Sequence, residues 1–477
     1  MNILYVTSEA VPFCKTGGLA DVAGSLPQAL AANGDRVSVI LPLYERVKNQ
    51  WGDQLHFERW TFVRLAWRSV YCGLFSLERD GVTWYFVDNE AYFRRSELYG
   101  YYDDGERFAF FSRAVTELLK SLPQRPDVVH CNDWQSALVT IYIRDEAVRD
   151  DFYKGIRTVI TVHNIEYQGR YGRETLEDLF GLDRGWFDGG TIEFSGDVNL
   201  LKGAIVTADA VTAVSPTYAQ ELKYAYFAHG LENVMNMNAR KLHGVLNGID
   251  MQRYDPAHDK NLAASYSPGD LAGKQADKAA LQRMLGLQER ADTPVLAMVS
   301  RLVSHKGLDL VCETLDSFMQ KDVQLVVLGK GDAKYETFFN YACRRYGGRM
   351  AVHLGYSEEL AMQIYAGADL FLMPSKSEPC GLSQMIAMRY GAVPIVRETG
   401  GLKDTVHAYE AWNGQGNGFT FANYNAGDMC YVICEAIDLY HNNKDAYAAL
   451  QKRGMTADFS WTRSAQEYRR IYESICR

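Results

Sequence analysis

The chain has 477 residues, of which 47% are hydrophobic, 12% aromatic and 23% charged. This composition is typical of a globular protein with two or three domains and excludes an intrinsically disordered chain. The net charge of -9, from 50 Lys and Arg against 59 Asp and Glu, indicates no general attraction to nucleic acid or to an anionic membrane.

The opening residues MNILYVTSEAVPF lack a basic region and soon reach charge and proline, which favours a buried first strand over a signal peptide. No apolar run approaches the ~20 residues that span a bilayer. The nine cysteines are scattered, which is typical of free thiols in a reducing compartment. We therefore expect a cytoplasmic protein. The sequence contains no zincin, D-x-D or P-loop motif, so we expect neither a metal nor a cofactor.

In the first half, short apolar runs alternate with segments of helical periodicity at Phe108–Leu119 and Leu138–Val148. Buried strands that alternate with helices predict a parallel sheet covered on both faces. The predicted strands are Ile3–Val6, Val37–Leu41, Trp84–Val87, Val128–His130, Val159–Val162 and Val211–Val214.

The second half repeats this scheme, with predicted helices at Leu308–Phe318, Glu359–Ala366 and Ser383–Tyr390. Its predicted strands are Val295–Val299, Leu325–Leu328, Val352–Leu354, Leu370–Met373 and Pro394–Val396. The pattern predicts an α/β protein with two doubly wound, Rossmann-like parallel-sheet domains and a deep cleft between them.

A polar segment rich in Pro, Gly and Asp runs from Asn247 to Lys278 and has no apolar period until a helix near Lys278. We therefore predict a first domain at 1–246, a linker at 247–278 and a second domain at 279–460. The tail Thr462–Arg477 is predicted to be a helix with apolar positions at Tyr468, Ile471, Tyr472 and Ile475.

Ligands of such sheets bind beyond the carboxyl ends of the strands, so unusual residues after strands are site candidates. After the first strand come Lys15, Gly17, Gly18 and Asp21, in a loop whose glycines and following helix suit an anion. A plain turn with a solvated lysine is equally compatible with this loop taken alone.

Arg301 and Lys306 follow the strand Val295–Val299 and precede a helix. Two cations at a helix N-terminus oppose the helix dipole unless an anion lies nearby, so this pair favours a diphosphate site.

Glu378, Cys380, Gly381 and Leu382 follow the strand Leu370–Met373 in a Pro- and Gly-constrained loop before a helix. This position suits a reacting carboxylate with helix N-terminal amides beside it, although a simple capping glutamate remains open. Thr399, Gly400 and Gly401 form a similar turn after Pro394–Val396, either a second nest for an anion or an ordinary turn.

His163 ends the strand Val159–Val162, and Asp133 with Trp134 follows Val128–His130. An imidazole, a carboxylate and an indole suit a polyol, although each alone also suits ordinary packing. The cations and these polar groups together have the character expected of a nucleoside diphosphate sugar site.

The run Lys15-Thr16-Gly17-Gly18-Leu19-Ala20-Asp21-Val22 resembles the opening signature of bacterial glycogen synthases and plant starch synthases. The further signatures appear in the family's order, and the similarity extends from Met1 to the tail. They are Ser300-Arg301-Leu302 with His305-Lys306-Gly307, Glu378-Pro379-Cys380-Gly381-Leu382, and Thr399-Gly400-Gly401-Leu402.

The resemblance implies a GT-B glycosyltransferase that transfers glucose from ADP-glucose to glycogen or a malto-oligosaccharide, with retention at the anomeric carbon. It implies that residues 461–477 return to the first domain. It also implies candidate catalytic residues at Glu378, Lys306, Arg301 and His163. The implied substrate-binding residues are Lys15, Gly17, Gly18, Asp21, Asp133, Asn247, Cys380, Gly381, Leu382, Thr399, Gly400 and Gly401.

One loop departs from the family pattern H-x-H-D-W-H, because this chain has His130-Cys131-Asn132-Asp133-Trp134-Gln135. This change puts the contacts to the acceptor in question. For the retained configuration, both a glucosyl ester on Glu378 and attack from the face of the departing ADP stay open, and the family favours the second.

Three alternatives also stay open. The first is a GT-B transferase with another nucleotide-sugar donor, such as UDP-glucose, or with a sucrose-like product. The second is a phosphorylase, which would need a pyridoxal phosphate lysine. The third, from a different class, is a glucan-binding protein without activity.

Overall fold

Eighteen strands run through the chain, and the computed structural model describes all residues from 1 to 477. They are β1 (Asn2–Val6), β2 (Arg36–Pro42), β3 (His56–Leu65), β4 (Arg68–Arg79), β5 (Val82–Asp88), β6 (Val128–Asn132), β7 (Arg157–Val162), β8 (Arg170–Tyr171), β9 (Glu193–Phe194), β10 (Asp197–Asn199), β11 (Ala210–Ala213), β12 (Leu242–Gly244), β13 (Val295–Val299), β14 (Gln324–Gly329), β15 (Met350–Leu354), β16 (Leu370–Met373), β17 (Val393–Arg397) and β18 (Phe419–Phe421).

Twenty α-helices connect and cover the strands. They are α1 (Gly18–Ala32), α2 (Glu45–Trp51), α3 (Glu90–Phe93), α4 (Asp104–Leu118), α5 (Ala137–Glu146), α6 (Thr175–Asp178), α7 (Gly185–Asp188), α8 (Leu200–Thr207), α9 (Pro216–Glu221), α10 (Ala225–Ala228), α11 (Glu232–Met237), α12 (Ala272–Met284), α13 (Leu308–Phe318), α14 (Ala333–Arg345), α15 (Glu358–Gly367), α16 (Ser383–Arg389), α17 (Gly400–Thr405), α18 (Ala426–Asn442), α19 (Lys444–Thr456) and α20 (Trp461–Cys476).

The first of two units comprises Met1–Gly248 together with Trp461–Arg477. Its nine-stranded sheet has the order β12-β11-β7-β6-β1-β2-β5-β4-β3. The strands are parallel except for the antiparallel pairs β3–β4 and β4–β5. Because β1 pairs with β2 on one side and β6 on the other, the strand order reverses at β1, where such sheets bind ligands. A small antiparallel sheet, β8-β10-β9, lies outside the main sheet.

The second unit, Ile249–Ser460, contains a six-stranded sheet with the order β15-β14-β13-β16-β17-β18. All of its pairings are parallel, and the order reverses at β13. The side chains of β13 and β16 are buried almost throughout, as expected for strands covered on both faces. The two doubly wound parallel sheets predicted from the sequence are therefore confirmed.

The short strands β8, β9, β10, β12 and β18 were not predicted from the sequence, and two longer segments also differ from the expectation. The antiparallel hairpin β3–β4 was not predicted, because most side chains of β3 are exposed and give no core-facing alternation. Helix α12 begins at Ala272, earlier than the helix expected near Lys278. Its buried face includes Lys274, Asp277 and Lys278, so an apolar periodicity does not mark its start.

Helix α20 packs on α1 in the first unit. Its Tyr468 and Tyr472 side chains are fully buried. The Tyr472 hydroxyl lies 2.7 Å from Nδ1 of His130, and the Arg469 guanidinium donates to the Asn33 carbonyl at 2.7 Å. The helix therefore completes the core of this unit beside β6. No helix of the chain combines the length and apolar character needed to cross a bilayer.

Candidate functional site

Most candidate residues of the first unit follow β1, β6 and β7, three adjacent strands of its sheet, and Asn247 follows β12. The loop between β1 and α1 carries Lys15, and Glu9 of the same loop stabilises it by hydrogen bonds. The Glu9 carboxylate accepts hydrogen bonds from the Thr16 amide at 2.5 Å and the Thr16 hydroxyl at 2.8 Å. A further hydrogen bond comes from the Gly17 amide. Glu9 thus engages the two amides just before α1, whereas the amides expected to face a ligand anion are those at the start of that helix.

Burial raises the pKa of Glu9 to about 7, although its hydrogen bonds to Thr16 and Gly17 lower it. Lys15 is exposed on the same loop, and its Nζ lies 2.7 Å from Oδ1 of Asp21 in the first turns of α1. Both charged residues of this signature therefore lie at the mouth of the loop, paired with each other. A ligand anion at Lys15 would compete with Asp21 for the same ammonium group.

Asp133 follows β6 with φ of +52° and ψ of -174°. Its Oδ1 accepts a hydrogen bond from the His163 amide at 2.7 Å, and the Asn164 amide also donates to this carboxylate. Burial raises the pKa of Asp133 to about 7. Asp133 therefore joins the ends of β6 and β7 and sets the backbone position of His163.

His163 is half-buried at the end of β7, and burial lowers its pKa to about 3, so its imidazole is neutral at physiological pH. Asn247 lies near the end of the first unit and is 5% exposed. Its Oδ1 is buried and has no hydrogen-bond partner. Trp134 packs its indole edge-on against Phe108, with ring centroids 5.4 Å apart, as an ordinary half-buried aromatic residue does.

The candidate residues of the second unit follow β13, β16 and β17, which are also adjacent. Lys306 belongs to a 3₁₀ turn, Ser304–Lys306, that precedes α13. Its Nζ lies 2.6 Å from Oε2 of Glu378, which also accepts a hydrogen bond from the Ser375 hydroxyl at 2.8 Å. The anion expected beside this cation is thus a carboxylate of the same unit.

Burial alone would raise the pKa of Glu378, but the Lys306 ammonium and the hydrogen bonds from Lys306 and Ser375 lower it below its ordinary value. Glu378 is therefore ionised at neutral pH although it is only 7% exposed. Arg301 lies after β13 with an exposed side chain that takes part in none of the ion pairs of this unit. Arg301 and the Lys306–Glu378 ion pair thus follow strands at β13, where the strand order reverses, and its neighbour β16.

Close backbone contacts join these loops. The Lys376 amide donates to the His305 carbonyl at 2.8 Å, and a Cβ atom at Gly307 would lie only 2.0 Å from the Pro374 carbonyl oxygen. Gly400 is equally tight, since its Cβ would lie 2.0 Å from the Glu378 carbonyl oxygen. The position of Glu378 therefore depends on glycines in both neighbouring loops.

The remaining candidates surround Glu378 through backbone and side-chain contacts. Cys380 is buried, and the Gln384 carboxamide donates to the Gly381 carbonyl at 2.9 Å. The Gly401 amide donates to the carbonyls of Glu378 and Pro379 at 3.3 and 3.2 Å. Thr399 precedes α17 and is fully buried, and Leu382 is half-buried at the start of α16.

Sequence reasoning did not identify Glu9, which holds the loop before α1, and it did not single out Tyr356. Glu9 lies three residues after β1, and an acidic residue between an apolar strand and a glycine-rich loop is a signal that could have suggested it. Tyr356 follows β15 at the same edge of the sheet as Arg301 and is 74% exposed. An aromatic residue two positions after a predicted strand is the corresponding signal for it.

Two family models match the chain in the order of the two units. The starch synthase catalytic domain matches residues 2–237, and the group 1 glycosyl transferases match residues 286–454. The chain is 46% identical to a glycogen synthase of Bacillus cereus, with both chains covered in full. It is 48% identical to a glycogen synthase of Geobacillus stearothermophilus, with 100% of this chain and 98% of that one covered.

Among solved structures, the catalytic domain of starch synthase IV from Arabidopsis thaliana, bound to ADP and acarbose, superposes with a TM-score of 0.91. The two chains are 33% identical, and the match covers 99% of each. Similarity of this extent covers both units and every signature described above. The chain therefore belongs to the glycogen and starch synthase family of glycosyltransferases with the GT-B fold.

Proposed function

We propose that the protein extends an α-1,4-glucan by transferring glucose from ADP-glucose to its non-reducing end, with retention at the anomeric carbon. The observation that carries this proposal is the Lys306–Glu378 ion pair at the strand-order reversal of the second sheet, where Arg301 also follows β13. This set of charges suits a sugar whose bond to a diphosphate is breaking. Full-length similarity to glycogen synthases supports the identity of the polymer.

Departure of ADP places negative charge on the diphosphate, and the cations Arg301 and Lys306 would stabilise it without a metal ion. Arginine offers a planar pair of donors, whereas the lysine ammonium acts as a point charge. In the loop before α16, the amides of Gly381 and Leu382 donate to no other backbone group and would complete the phosphate contacts. Each such donor is worth about 3 kcal/mol of barrier.

The nucleotide base would lie against Tyr356. The sheet order β15-β14-β13 separates the strand before Tyr356 from the strand before Arg301 by two strand spacings, or about 10 Å. A nucleoside spans a distance of this order between its base and its diphosphate. Stacking on an exposed ring suits any base, so we assign the preference for adenine to the family relationship.

In the first unit, His163 and Asn247 would contact the glucose, and Lys15 would contact the diphosphate. The buried Asn247 Oδ1 has no partner in the chain, and a sugar hydroxyl would supply the missing hydrogen bond. Lys15 would exchange Asp21 for a phosphate oxygen, at little cost because the pair is partly exposed.

The state of Glu378 favours attack from the face of the departing ADP over formation of a glucosyl ester. Its Oε2 already accepts two hydrogen bonds, and its pKa is lowered, so it is a weak nucleophile. In this route the acceptor 4-hydroxyl oxygen bonds to the anomeric carbon as the bond to phosphate breaks, and its proton passes to the leaving phosphate oxygen. Glu378 then stabilises the positive charge that develops on the sugar.

The test is incorporation of labelled glucose into glycogen, with ADP-glucose and UDP-glucose compared side by side, each with and without EDTA. We expect transfer from ADP-glucose that EDTA does not reduce and that debranching and chain-length analysis assign to α-1,4 extension. Transfer from UDP-glucose alone would contradict the donor. No transfer from either donor by the folded protein, with retained glycogen binding, would replace the proposal with a glucan-binding function.

A further inference from the structure

Asn132, the last residue of β6, is fully buried and connects two strands to the candidate site. Its Nδ2 donates to the Val6 carbonyl at 3.0 Å. Its Oδ1 accepts a hydrogen bond from the Tyr5 hydroxyl at 2.8 Å and lies 2.9 Å from Nε2 of His163. The register of the sheet, in which Tyr5 lies opposite His130 and Asn132 opposite Thr161, brings these groups together.

These contacts determine which nitrogen of His163 carries the proton. A carbonyl oxygen can only accept, so the atom of Asn132 that faces Val6 must be the amide nitrogen. The atom that faces His163 is then the carboxamide oxygen, which also can only accept. His163 must therefore donate from Nε2, and because its ring is neutral, Nδ1 holds a lone pair.

We propose that Asn132 is a positioning residue that holds His163 in the Nε2–H tautomer, so that Nδ1 accepts a hydrogen bond from a hydroxyl of the donor glucose. Nδ1 of His163 makes no hydrogen bond within the chain, whereas both carboxamide atoms of Asn132 are engaged. The inference rests on the proposed contact between His163 and the sugar. It makes that contact directional, because the opposite tautomer would present an N–H group to the same hydroxyl.

The surroundings favour the neutral ring. The titratable groups near His163 are Asp133, which accepts from its backbone amide, His130 on β6 and Tyr5 on β1. Burial lowers the pKa of His130 to about 3 and raises that of Tyr5 well above its ordinary value, so both are uncharged at neutral pH. Asp133 fixes the backbone of His163, because its carboxyl group accepts a hydrogen bond from the His163 amide.

The direct test is nitrogen NMR of the protein with ¹⁵N-labelled histidine, in which the two ring nitrogens report the tautomer. The signals of His163 are assigned by their loss in His163→Gln. We expect a neutral ring protonated at Nε2 from pH 5.5 to 8.5. A proton on Nδ1, or titration of the ring within this range, would overturn the proposal. This readout does not depend on activity, so it stands even if ADP-glucose proves not to be the donor.

Asn132→Leu removes the acceptor while it keeps a similar volume. We expect the Nδ1–H tautomer to appear at His163 and kcat to fall about tenfold, the value of one neutral hydrogen bond, with an unchanged KM for glycogen. Asn199→Leu is the matched control, because Asn199 is also fully buried and doubly hydrogen-bonded, but its side-chain partners are Gln168 and Lys202 and not His163. Its His163 signals should match those of the wild type. An unchanged tautomer in Asn132→Leu would overturn the proposal.

Asn132→Asp provides a second test, the pH dependence of kcat, which should not change if Asn132 only supports the fold. A carboxylate beside Nε2 favours the imidazolium form, which carries a proton on Nδ1 and can no longer accept. We expect kcat of this variant to fall at acidic pH and to recover as the pH rises, whereas the wild type lacks this acidic limb. Parallel pH profiles for the two proteins would contradict the role assigned to Asn132.

Discussion

The Lys306 ammonium lies 2.6 Å from the Glu378 carboxylate although the two residues are 72 positions apart in the chain. Both side chains are largely buried, so each compensates the charge of the other. Replacement of one partner alone leaves a buried charge, which costs about 3 kcal/mol or more. Lys306 and Glu378, which belong to two different signatures, thus form one ion pair whose charges depend on each other.

Lys306→Ala should lower kcat by about 100- to 1000-fold, because it removes a cation from the leaving group. It should also lower the free energy of unfolding by about 3 kcal/mol, because Glu378 loses its partner. Initial rates and chemical unfolding measure the two effects. The double variant Lys306→Ala with Glu378→Gln should recover most of the stability but none of the activity.

Lys452→Ala, at an exposed position of α19, is the control for loss of a positive charge from this unit. It should leave both quantities unchanged. If Lys306→Ala retains a wild-type rate, the assignment of Lys306 to the leaving group is wrong. If the double variant is no more stable than the single one, the two side chains are not coupled.

Glu9 should make stability depend on pH. Its pKa in the folded chain is about 7, above the ordinary value of 4.5 for a glutamate, so between these values the folded chain binds a proton that the unfolded chain has released. The free energy of unfolding therefore falls as the pH rises through this window, by a total of about 3 kcal/mol from this group.

Glu9→Gln removes this titration and keeps an oxygen that can accept from the Thr16 amide. We expect the stability of the variant relative to the wild type to increase by about 3 kcal/mol between pH 4.5 and pH 8. Urea unfolding at several pH values measures this difference in stability. Asp133 titrates in both proteins, so its contribution largely cancels in the comparison. A difference that does not change with pH would show that Glu9 is not perturbed.

Gly307 and Gly286 provide a matched pair, because their φ angles are +73° and +70°. A Cβ atom at Gly286 meets no atom within 4 Å, whereas at Gly307 it would lie 2.0 Å from the Pro374 carbonyl oxygen. Gly286→Ala should therefore cost only the strain of the left-handed backbone, about 1 kcal/mol. Gly307→Ala should also displace Lys306 from Glu378 and lower kcat by about 100-fold.

Unfolding measurements and initial rates on the two variants separate strain from displacement. Equal rates for both variants would mean that the contact between Gly307 and Pro374 does not position Lys306. Loss of activity in Gly286→Ala would mean that backbone strain alone explains the effect.

Tyr356→Ala should raise the KM for ADP-glucose by about tenfold, because stacking of a base on an aromatic ring is worth about 1–3 kcal/mol. The kcat value should change little, since the ring is remote from the bond that breaks. Tyr341→Ala is the control, because Tyr341 is 67% exposed on α14 of the same unit. An unchanged KM in Tyr356→Ala would remove Tyr356 from the proposed base site.

Five of the six strands of the second unit could be predicted from the sequence, because a buried parallel strand is a continuous apolar run, whereas the short β18 was not predicted. Leu370–Met373 and Val295–Val299 have the predicted bounds. The start of α12 could not be predicted in the same way. Lys274 is fully buried there because its ammonium donates to the carbonyls of Ala366 and Tyr390, and a local window cannot reveal such distant acceptors.

For the candidate site, the sequence predicted which residues follow strands but not what they contact. The diphosphate expected beside Lys306 stays a prediction, and the anion that Lys306 contacts within the chain is Glu378, which lies in another loop. Similarly, the sequence suggested an anion at the amides that begin α1 and did not reveal that Glu9 accepts a hydrogen bond from the Thr16 amide just before that helix. Pairings of this kind depend on the tertiary approach of two loops, which neither periodicity nor motif spacing encodes.

Helix α20 has a consequence for the order in which the protein matures on the ribosome. The side chains of Tyr468 and Tyr472 fill the core of a unit whose other residues end at Gly248, about two hundred positions earlier. At bacterial or eukaryotic elongation rates this interval lasts roughly 10 to 40 s. During it, the nascent first unit exposes the apolar surface beside His130 that α20 later covers. We therefore expect nascent chains that end before Trp461 to be clients of ribosome-associated chaperones, and the completed chain to be released from them.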